Sequence, residues 1–388
     1  MNIIDIEKKC TGCAACVDSC PVKALSLELN KNGFYEPEIQ LDKCIHCEKC
    51  VTVCTVYSPL SVKDQREYFY GWNKDEQIRA QSSSGGIFSA LAEKILNENG
   101  VVFGAKYSDD FKSVIMESTE NTSLTSLRTS KYVQSKTNGI YNKIKSLLQE
   151  NRKVLFVGSP CQVAGMRKFF GFNEPNLLLV DFLCGGFPST TCYSQYISWL
   201  EKKYRSKVVS VNFRDKNKTG WAQSGIKVCF ENKKTYFSKV DYDPYYHHYY
   251  CTPFLKNDAC LDCKFKQKRY ADITIADFWG FKKMNIKSDD KGLSLIITYN
   301  EKGKNFLSAI SSSLVLHSIE EQNAAYAFKF NEKSEEELLQ REKFLNTVAE
   351  KDFIYAAKQN YFKYEKVGVF LRKTKKRLIH MLKGKLRK

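Results

Sequence analysis

Eight of the fifteen cysteines fall into two runs written to one pattern, Cys10-x2-Cys13-x2-Cys16-x3-Cys20 and Cys44-x2-Cys47-x2-Cys50-x3-Cys54. Three thiolates at that spacing wrap three corners of a cubane iron–sulfur cluster, and the fourth thiol of the run cannot reach the same one. Each fourth thiol is therefore expected to complete the other cluster: Cys54 joins Cys10, Cys13 and Cys16, and Cys20 joins Cys44, Cys47 and Cys50. Two 4Fe-4S clusters follow. Structural zinc sites commonly use two separated pairs, and a triple followed by a fourth thiol, twice over, does not read that way. Pro21 follows the first run and Thr55 the second. That difference loosens a turn and removes no ligand.

A further four thiols sit where chains turn. Cys161 follows an apolar run in Phe156-Val157-Gly158-Ser159-Pro160-Cys161-Gln162, where a strand is expected to give way to a helix whose first amides favour a thiolate. Cys184 closes another strand before Gly185 and Gly186, and Cys260-x2-Cys263 lies in a loop ahead of a third. By spacing alone these four could hold a third cluster, hold zinc, or be unconnected. The run Ser82-Ser83-Ser84-Gly85-Gly86 opens a helix and suits either a phosphate or an ordinary cap. Lys131 and Arg214 are candidate anion partners, although an isolated basic residue is most often a solvated charge. Asp272 and Asp277 flank a core-like strand and are expected to cap or bond nearby loops. His247 and His248 point apart on a helix and read as packing and surface; Cys192, Cys229 and Cys251 read as small buried hydrophobes.

The elements needed to position these groups are legible as periodicity. Short strands are expected over 24–29 and 34–39, then over 101–107, 153–158, 177–183, 208–213, 271–276 and 293–299. Helical periods cover 86–97, 140–150 and 190–204. The pattern predicts an α/β body with a mixed sheet, preceded by a small α+β domain, and strand ends in such a body converge on one edge. We divide the chain into a two-cluster domain (1–60), a body (61–330) reached through a polar connector at 58–67, and a helical C-terminal region (331–388).

The doubled cysteine motif resembles the bacterial two-cluster ferredoxins. Across 68–300, Ser82-Ser83-Ser84-Gly85-Gly86, Ser130-Lys131-Tyr132-Val133-Gln134-Ser135, Gly158-Ser159-Pro160-Cys161-Gln162, Cys184-Gly185, Phe213-Arg214-Asp215, Cys260-x2-Cys263 and the run from Ala271 to Gly280 resemble the beta subunits of the coenzyme F420 hydrogenases and dehydrogenases. The resemblance implies FAD and a third 4Fe-4S cluster in the body. It implies Cys161, Cys184, Cys260 and Cys263 as the cluster ligands, with Ser83, Ser84, Gly85, Gly86, Lys131 and Arg214 as candidate flavin contacts. It does not carry deazaflavin use with it. A flavin joins one-electron to two-electron chemistry, so the expected function is a flavin-dependent iron–sulfur oxidoreductase working with a redox donor or acceptor protein. Two other readings are an electron-transfer subunit with no substrate of its own and, since relatives of this architecture occur there, an accessory protein of surface-polysaccharide synthesis.

Bulk properties limit the rest. The formal charge of +18 is unevenly spread. Residues 1–60 hold six Lys against eight Asp and Glu, whereas 366–388 hold ten Lys and Arg and no acid. That tail places Val367, Phe370, Leu371, Leu378, Leu382 and Leu386 near one face of an expected basic amphipathic helix, suited to an anionic membrane surface or an acidic partner. No motif for nucleic acid accompanies it. Clustered thiols without a secretory leader predict a reducing, cytoplasmic setting, free or at the inner face of the membrane. The longest apolar run, Leu177 to Phe187, is broken by Asp181 and two glycines and falls short of the roughly 20 residues a membrane span needs.

Overall fold

A computed structural model describes residue 3 and residues 10–61, 65–325 and 334–360. The basic tail lies outside the described residues. Fourteen strands are described: β1 (Leu25–Leu29), β2 (Tyr35–Ile39), β3 (Glu67–Asn73), β4 (Val101–Tyr107), β5 (Val114–Thr119), β6 (Ser135–Lys136), β7 (Val154–Val157), β8 (Leu177–Phe182), β9 (Val208–Asp215), β10 (Gly225–Phe230), β11 (Thr235–Ser238), β12 (Ile273–Asp277), β13 (Ser294–Thr298) and β14 (Leu314–Ile319). The eight strands and three helices expected from periodicity are all present, shifted by two residues at most. Six strands carried no clear signal. β3 (Glu-Tyr-Phe-Tyr-Gly-Trp-Asn) begins in the polar connector, and β6 has two residues.

The main sheet has the order β14-β3-β13-β12-β8-β7-β4-β5-β6. Its centre, β12-β8-β7-β4, is parallel, β13, β3 and β14 run antiparallel to their neighbours, and β5 runs antiparallel to β4 and parallel to β6. The mixed sheet is thus as expected. The parallel strands are short and apolar because both faces are covered. Val154, Phe156, Leu177 and Leu179 face one core, shared with helices Ile140–Gln149 and Pro160–Phe170 and with the N-terminal cysteine segment. Leu155, Leu178 and Val180 face the other, under helices Ile87–Asn97 and Glu301–Ala309. Each such side chain, fully removed from water, contributes roughly 1.5–3 kcal/mol.

A second, three-stranded sheet (β11-β10-β9) is antiparallel. It packs on helices Thr190–Tyr204, Pro244–Tyr250 and Glu335–Glu350 through an aromatic core that includes Tyr193, Tyr196, Phe213 and Tyr245. The N-terminal segment is the β1–β2 hairpin with two short helices, Ala15–Ser19 and Lys49–Thr52. Among the described residues no helix is long and apolar enough to cross a membrane.

Candidate metal centres and the crevice beside them

The cysteine repeat is visible in the backbone. Gly12 and Ala14 have positive φ (62° and 65°), and so do His46 and Glu48 (52° and 58°), their equivalents in the second run. Each left-handed residue turns amides inward, where they meet sulfur: Gly12 N–H donates to Cys10 Sγ at 3.3 Å, and Ala24 N–H to Cys20 Sγ at 3.2 Å. One cavity is lined by Cys10, Cys13, Cys16 and Cys54, and another by Cys20, Cys44, Cys47 and Cys50. Each encloses about 390 Å³, counting space open to solvent. These are the crossed quartets that the spacing predicts.

The donor sets suit a cluster better than a lone ion. A zinc ion with bonds of about 2.3 Å needs its sulfurs about 3.8 Å apart. Among the described residues, the group with three ligand atoms within 4.8 Å of one another is Asp241, His247 and Cys251, which belongs to none of the quartets. Burial pushes the Cys10 thiol up to about 12, and burial together with neighbouring thiols raises Cys13 and Cys16 as well. Four thiolates persist in such a place only around a cationic centre, which deprotonates them on binding.

The third set of thiols meets at the carboxyl edge of the parallel strands. Cys161 is the second residue of helix Pro160–Phe170, whose Ser159–Gln162 capping box fixes its start; Ser159 Oγ lies 3.3 Å from Cys161 Sγ. Gly186 N–H donates to Cys184 Sγ at 3.4 Å, and Phe187 N–H to Cys260 Sγ at 3.2 Å. Cys260 stands in a short helix, Asp258–Leu261, rather than in a loop. Burial raises all four thiols, Cys184 to about 11, and Cys161 is raised further by the charges of Cys184, Cys263 and Cys260. At Cys161 burial is the largest influence, ahead of the Ser159 hydroxyl, which favours the thiolate. Phe187, Phe265 and Tyr270 surround the set.

One helix joins the two regions. Cys161 and Gly165 share a face of helix Pro160–Phe170, one turn and about 6 Å apart. A Cβ on Gly165 would lie 3.3 Å from Cys13 Sγ and 2.6 Å from Tyr141 Oη. The N-terminal segment is held there by Tyr141 Oη and Thr137 Oγ1, which donate to Cys13 O at 2.7 and 3.0 Å, and by Gln134 Nε2, which donates to Thr11 O at 3.1 Å. Asp18 caps the next helix, accepting from Gly139 N at 2.6 Å and Tyr141 N at 2.9 Å. On its other side the linking helix is fixed by Arg167, which pairs with fully buried Asp272 at 2.7 Å.

The expected flavin residues lie along the same carboxyl edge, but most of their polar groups are engaged within the protein. Ser83 Oγ accepts from Ser130 N at 2.8 Å, Ser84 Oγ donates to Leu293 O at 3.0 Å, and Gly85 N donates to Ser294 Oγ at 2.9 Å. Gly86, with φ 85°, is the N-cap of helix Ile87–Asn97 and brings no side chain over its first turn. Lys131 Nζ donates to the carbonyls of Leu127, Arg128 and Thr129, and burial pushes it down to about 7. It is not a solvated charge.

Arg214 is not one either. It is buried, pairs with Asp277 at 3.1 Å and lies over the Trp279 ring. Burial works against its charge, and Asp277 more than offsets this. Its Nε is buried with no hydrogen-bond partner among the described residues. Trp221 stacks on Trp279 at 4.4 Å and donates from Nε1 to Asp277 at 2.9 Å. Tyr249 spans the remaining gap: its hydroxyl would lie 3.3 Å from a Cβ on Gly185, next to Cys184, and its ring is 5.1 Å from Tyr132. Lys216 reaches the carbonyls of Arg79, Ser84 and Lys291. Sequence reasoning passed over Trp221, Lys216 and Gly165, because nothing local marks them; Trp279 entered only as part of the run from Ala271 to Gly280. Of the three leftover cysteines, Cys192 is buried and Cys229 half-buried, but Cys251 is exposed. It follows the last turn of helix Pro244–Tyr250, outside the aromatic core.

Set within an α/β body, these thiol sets define an iron–sulfur protein. Residues 9–57 match the family model of the 4Fe-4S dicluster domain. Residues 68–140 and 151–323 match the models of the coenzyme F420 hydrogenase/dehydrogenase beta subunit, N-terminal and C-terminal parts. The chain belongs to that family, whose members are parts of iron–sulfur oxidoreductase complexes. Among solved structures it is similar to a chain of the F420-reducing [NiFe] hydrogenase complex from Methanosarcina barkeri, studied as a xenon derivative, with 16% identity and a TM-score of 0.45 over 77% of this chain and 92% of that chain. No curated protein matches.

Proposed function

We propose that the chain is an oxidoreductase in which the three thiol sets each hold a 4Fe-4S cluster and single electrons exchanged with a redox partner reach FAD in the crevice by Arg214. The observation that carries this reading is helix Pro160–Phe170, which bears Cys161 of the third set and, one turn on, the glycine packed against Cys13 of the first. The outer quartet suits exchange with a partner protein: Cys47 is exposed, and Leu41 and Ile45 beside it are 61% and 60% exposed. Residues 1–60 then act as a ferredoxin-like domain seated on a body of 61–330.

In the crevice the residues divide into two roles. Ser83, Ser84, Gly85 and Lys131 build the turn, since their polar groups are already bonded. The open first turn after Gly86 and the unpaired Nε of Arg214 are the groups left to meet an anionic, planar ligand. Bound there, FAD supplies the exchange between one-electron and two-electron steps. Arg214 and Asp277 hold their charges in place, and Trp221 and Trp279 keep water from that side.

The test is anaerobic purification followed by iron and flavin counts. About twelve irons and one flavin per chain are expected; about eight irons removes the third cluster from the reading. Absence of flavin would favour the second reading, an electron-transfer subunit whose substrate chemistry lies on another chain. The internal bonding of the Ser83–Gly85 turn is the observation on that side.

A further inference from the structure

Asp241, His247 and Cys251 form a ligand set apart from the three quartets. Helix Pro244–Tyr250 carries His247, and its helical backbone continues into Cys251, whose N–H donates to His247 O at 2.8 Å. The two side chains therefore stand one turn apart on one face, the spacing at which a helix offers two ligands to one ion. Asp241 joins them from the loop after β11. The ligand atoms of all three lie within 4.8 Å of one another. A tetrahedral ion with bonds of about 2.0–2.3 Å needs separations of about 3.3–3.8 Å, which small side-chain rotations supply.

The framework around the set is fixed. Asp243 caps the helix by accepting from Tyr246 N at 2.6 Å, and it also accepts from Tyr196 Oη at 2.6 Å and Tyr236 Oη at 2.8 Å. This locks the junction between the loop that bears Asp241 and the helix that bears the other two. His247 is 7% exposed, while Asp241 and Cys251 open to solvent. A carboxylate and a thiolate balance a dication, and the mixture of oxygen, nitrogen and sulfur suits a borderline ion such as zinc rather than calcium or magnesium.

We propose that Asp241, His247 and Cys251 bind one zinc-type divalent cation, with the fourth coordination position left to water or a ligand from solvent. The full chain, purified anaerobically with its iron in place, is loaded with zinc, desalted and assayed for metal. About one zinc per chain is expected beyond the iron, lost in His247→Gln and Cys251→Ala while iron content and thermal unfolding stay unchanged. Zinc is also expected to slow alkylation of Cys251 by iodoacetamide at least about tenfold, because a ligated thiolate is shielded. If either of those variants unfolds, Asp241→Asn at an exposed position serves instead, with zinc retention reduced about tenfold or more. Failure to bind zinc, or zinc retained by the variants, overturns the proposal. So does an alkylation rate indifferent to zinc, which would leave Cys251 as an unligated thiol beside His247 and Asp241.

Discussion

At the scale of single residues, the crossed quartets make the sharpest claim. Cys54 lies closer in sequence to Cys44, Cys47 and Cys50, yet it shares a cavity with Cys10, Cys13 and Cys16. Cys54→Ser and Cys10→Ser should therefore damage the same cluster, while Cys20→Ser damages the other. Each loss should remove up to about four irons, and the paramagnetic resonance spectra of the reduced variants should group in that way. Identical spectra for Cys54→Ser and Cys47→Ser would mean that each run serves its own cluster.

Lys216 gives a prediction with a definite sign. Burial, and after it the neighbouring Arg79 charge, lowers its ammonium to about 8 from an ordinary value near 10.5. Between those two pH values the unfolded chain holds the proton more tightly than the folded one, so this residue makes stability rise with pH across that window and has no slope below it. In Lys216→Met the difference in denaturation midpoint from the parent should change with pH between about 8 and 10.5 and stay level from pH 6 to 8. A constant offset would show that the three carbonyl bonds of Lys216, and not its titration, dominate.

At the scale of elements, helix Pro160–Phe170 illustrates how packing reverses an intrinsic preference. Alanine in place of a mid-helix glycine ordinarily gains about 1 kcal/mol. Here the added carbon would sit 2.6 Å from Tyr141 Oη, and overpacking a filled site costs about 1–3 kcal/mol. Gly165→Ala is expected to be destabilising by about 1 kcal/mol in urea titrations, and to shift the spectrum of the cluster at Cys13 as Tyr141 withdraws from its carbonyl. A stabilised Gly165→Ala would show that the helix and the cysteine segment are not in close contact.

At the scale of the whole molecule, the N-terminal segment and the body share one apolar core on a single face of the main sheet. Asp18 is the polar fastening of that arrangement, since its two oxygens satisfy the start of helix Ile140–Gln149. Removing a helix cap costs about 1 kcal/mol. Asp18→Ala should raise the rate at which proteases separate the segment from the body by about fivefold to tenfold, and slow electron exchange between them. Proteolysis at the parental rate would locate the attachment in the apolar contact alone.

The sequence by itself determined the candidate ligands of the first two thiol sets, their expected grouping and the central strands. Cysteine spacing restricts which thiols can reach one cluster, and short apolar runs between turn residues mark strands buried on both faces. It did not reveal β3 or β14. Tyr68, Tyr70 and Trp72 lie among polar neighbours in a segment that reads as connector, and their place in the sheet depends on pairing with β13 and β14, more than 200 residues away. It also left open whether Arg214 and Lys131 are solvated charges, and it read Cys251 as a buried thiol. Only tertiary structure decided these points, because a charge is buried or solvated according to partners such as Asp277 that the chain brings from elsewhere. The same holds for the link between clusters. A glycine at position 165 looks like any other weak helix former until folding sets it against Cys13.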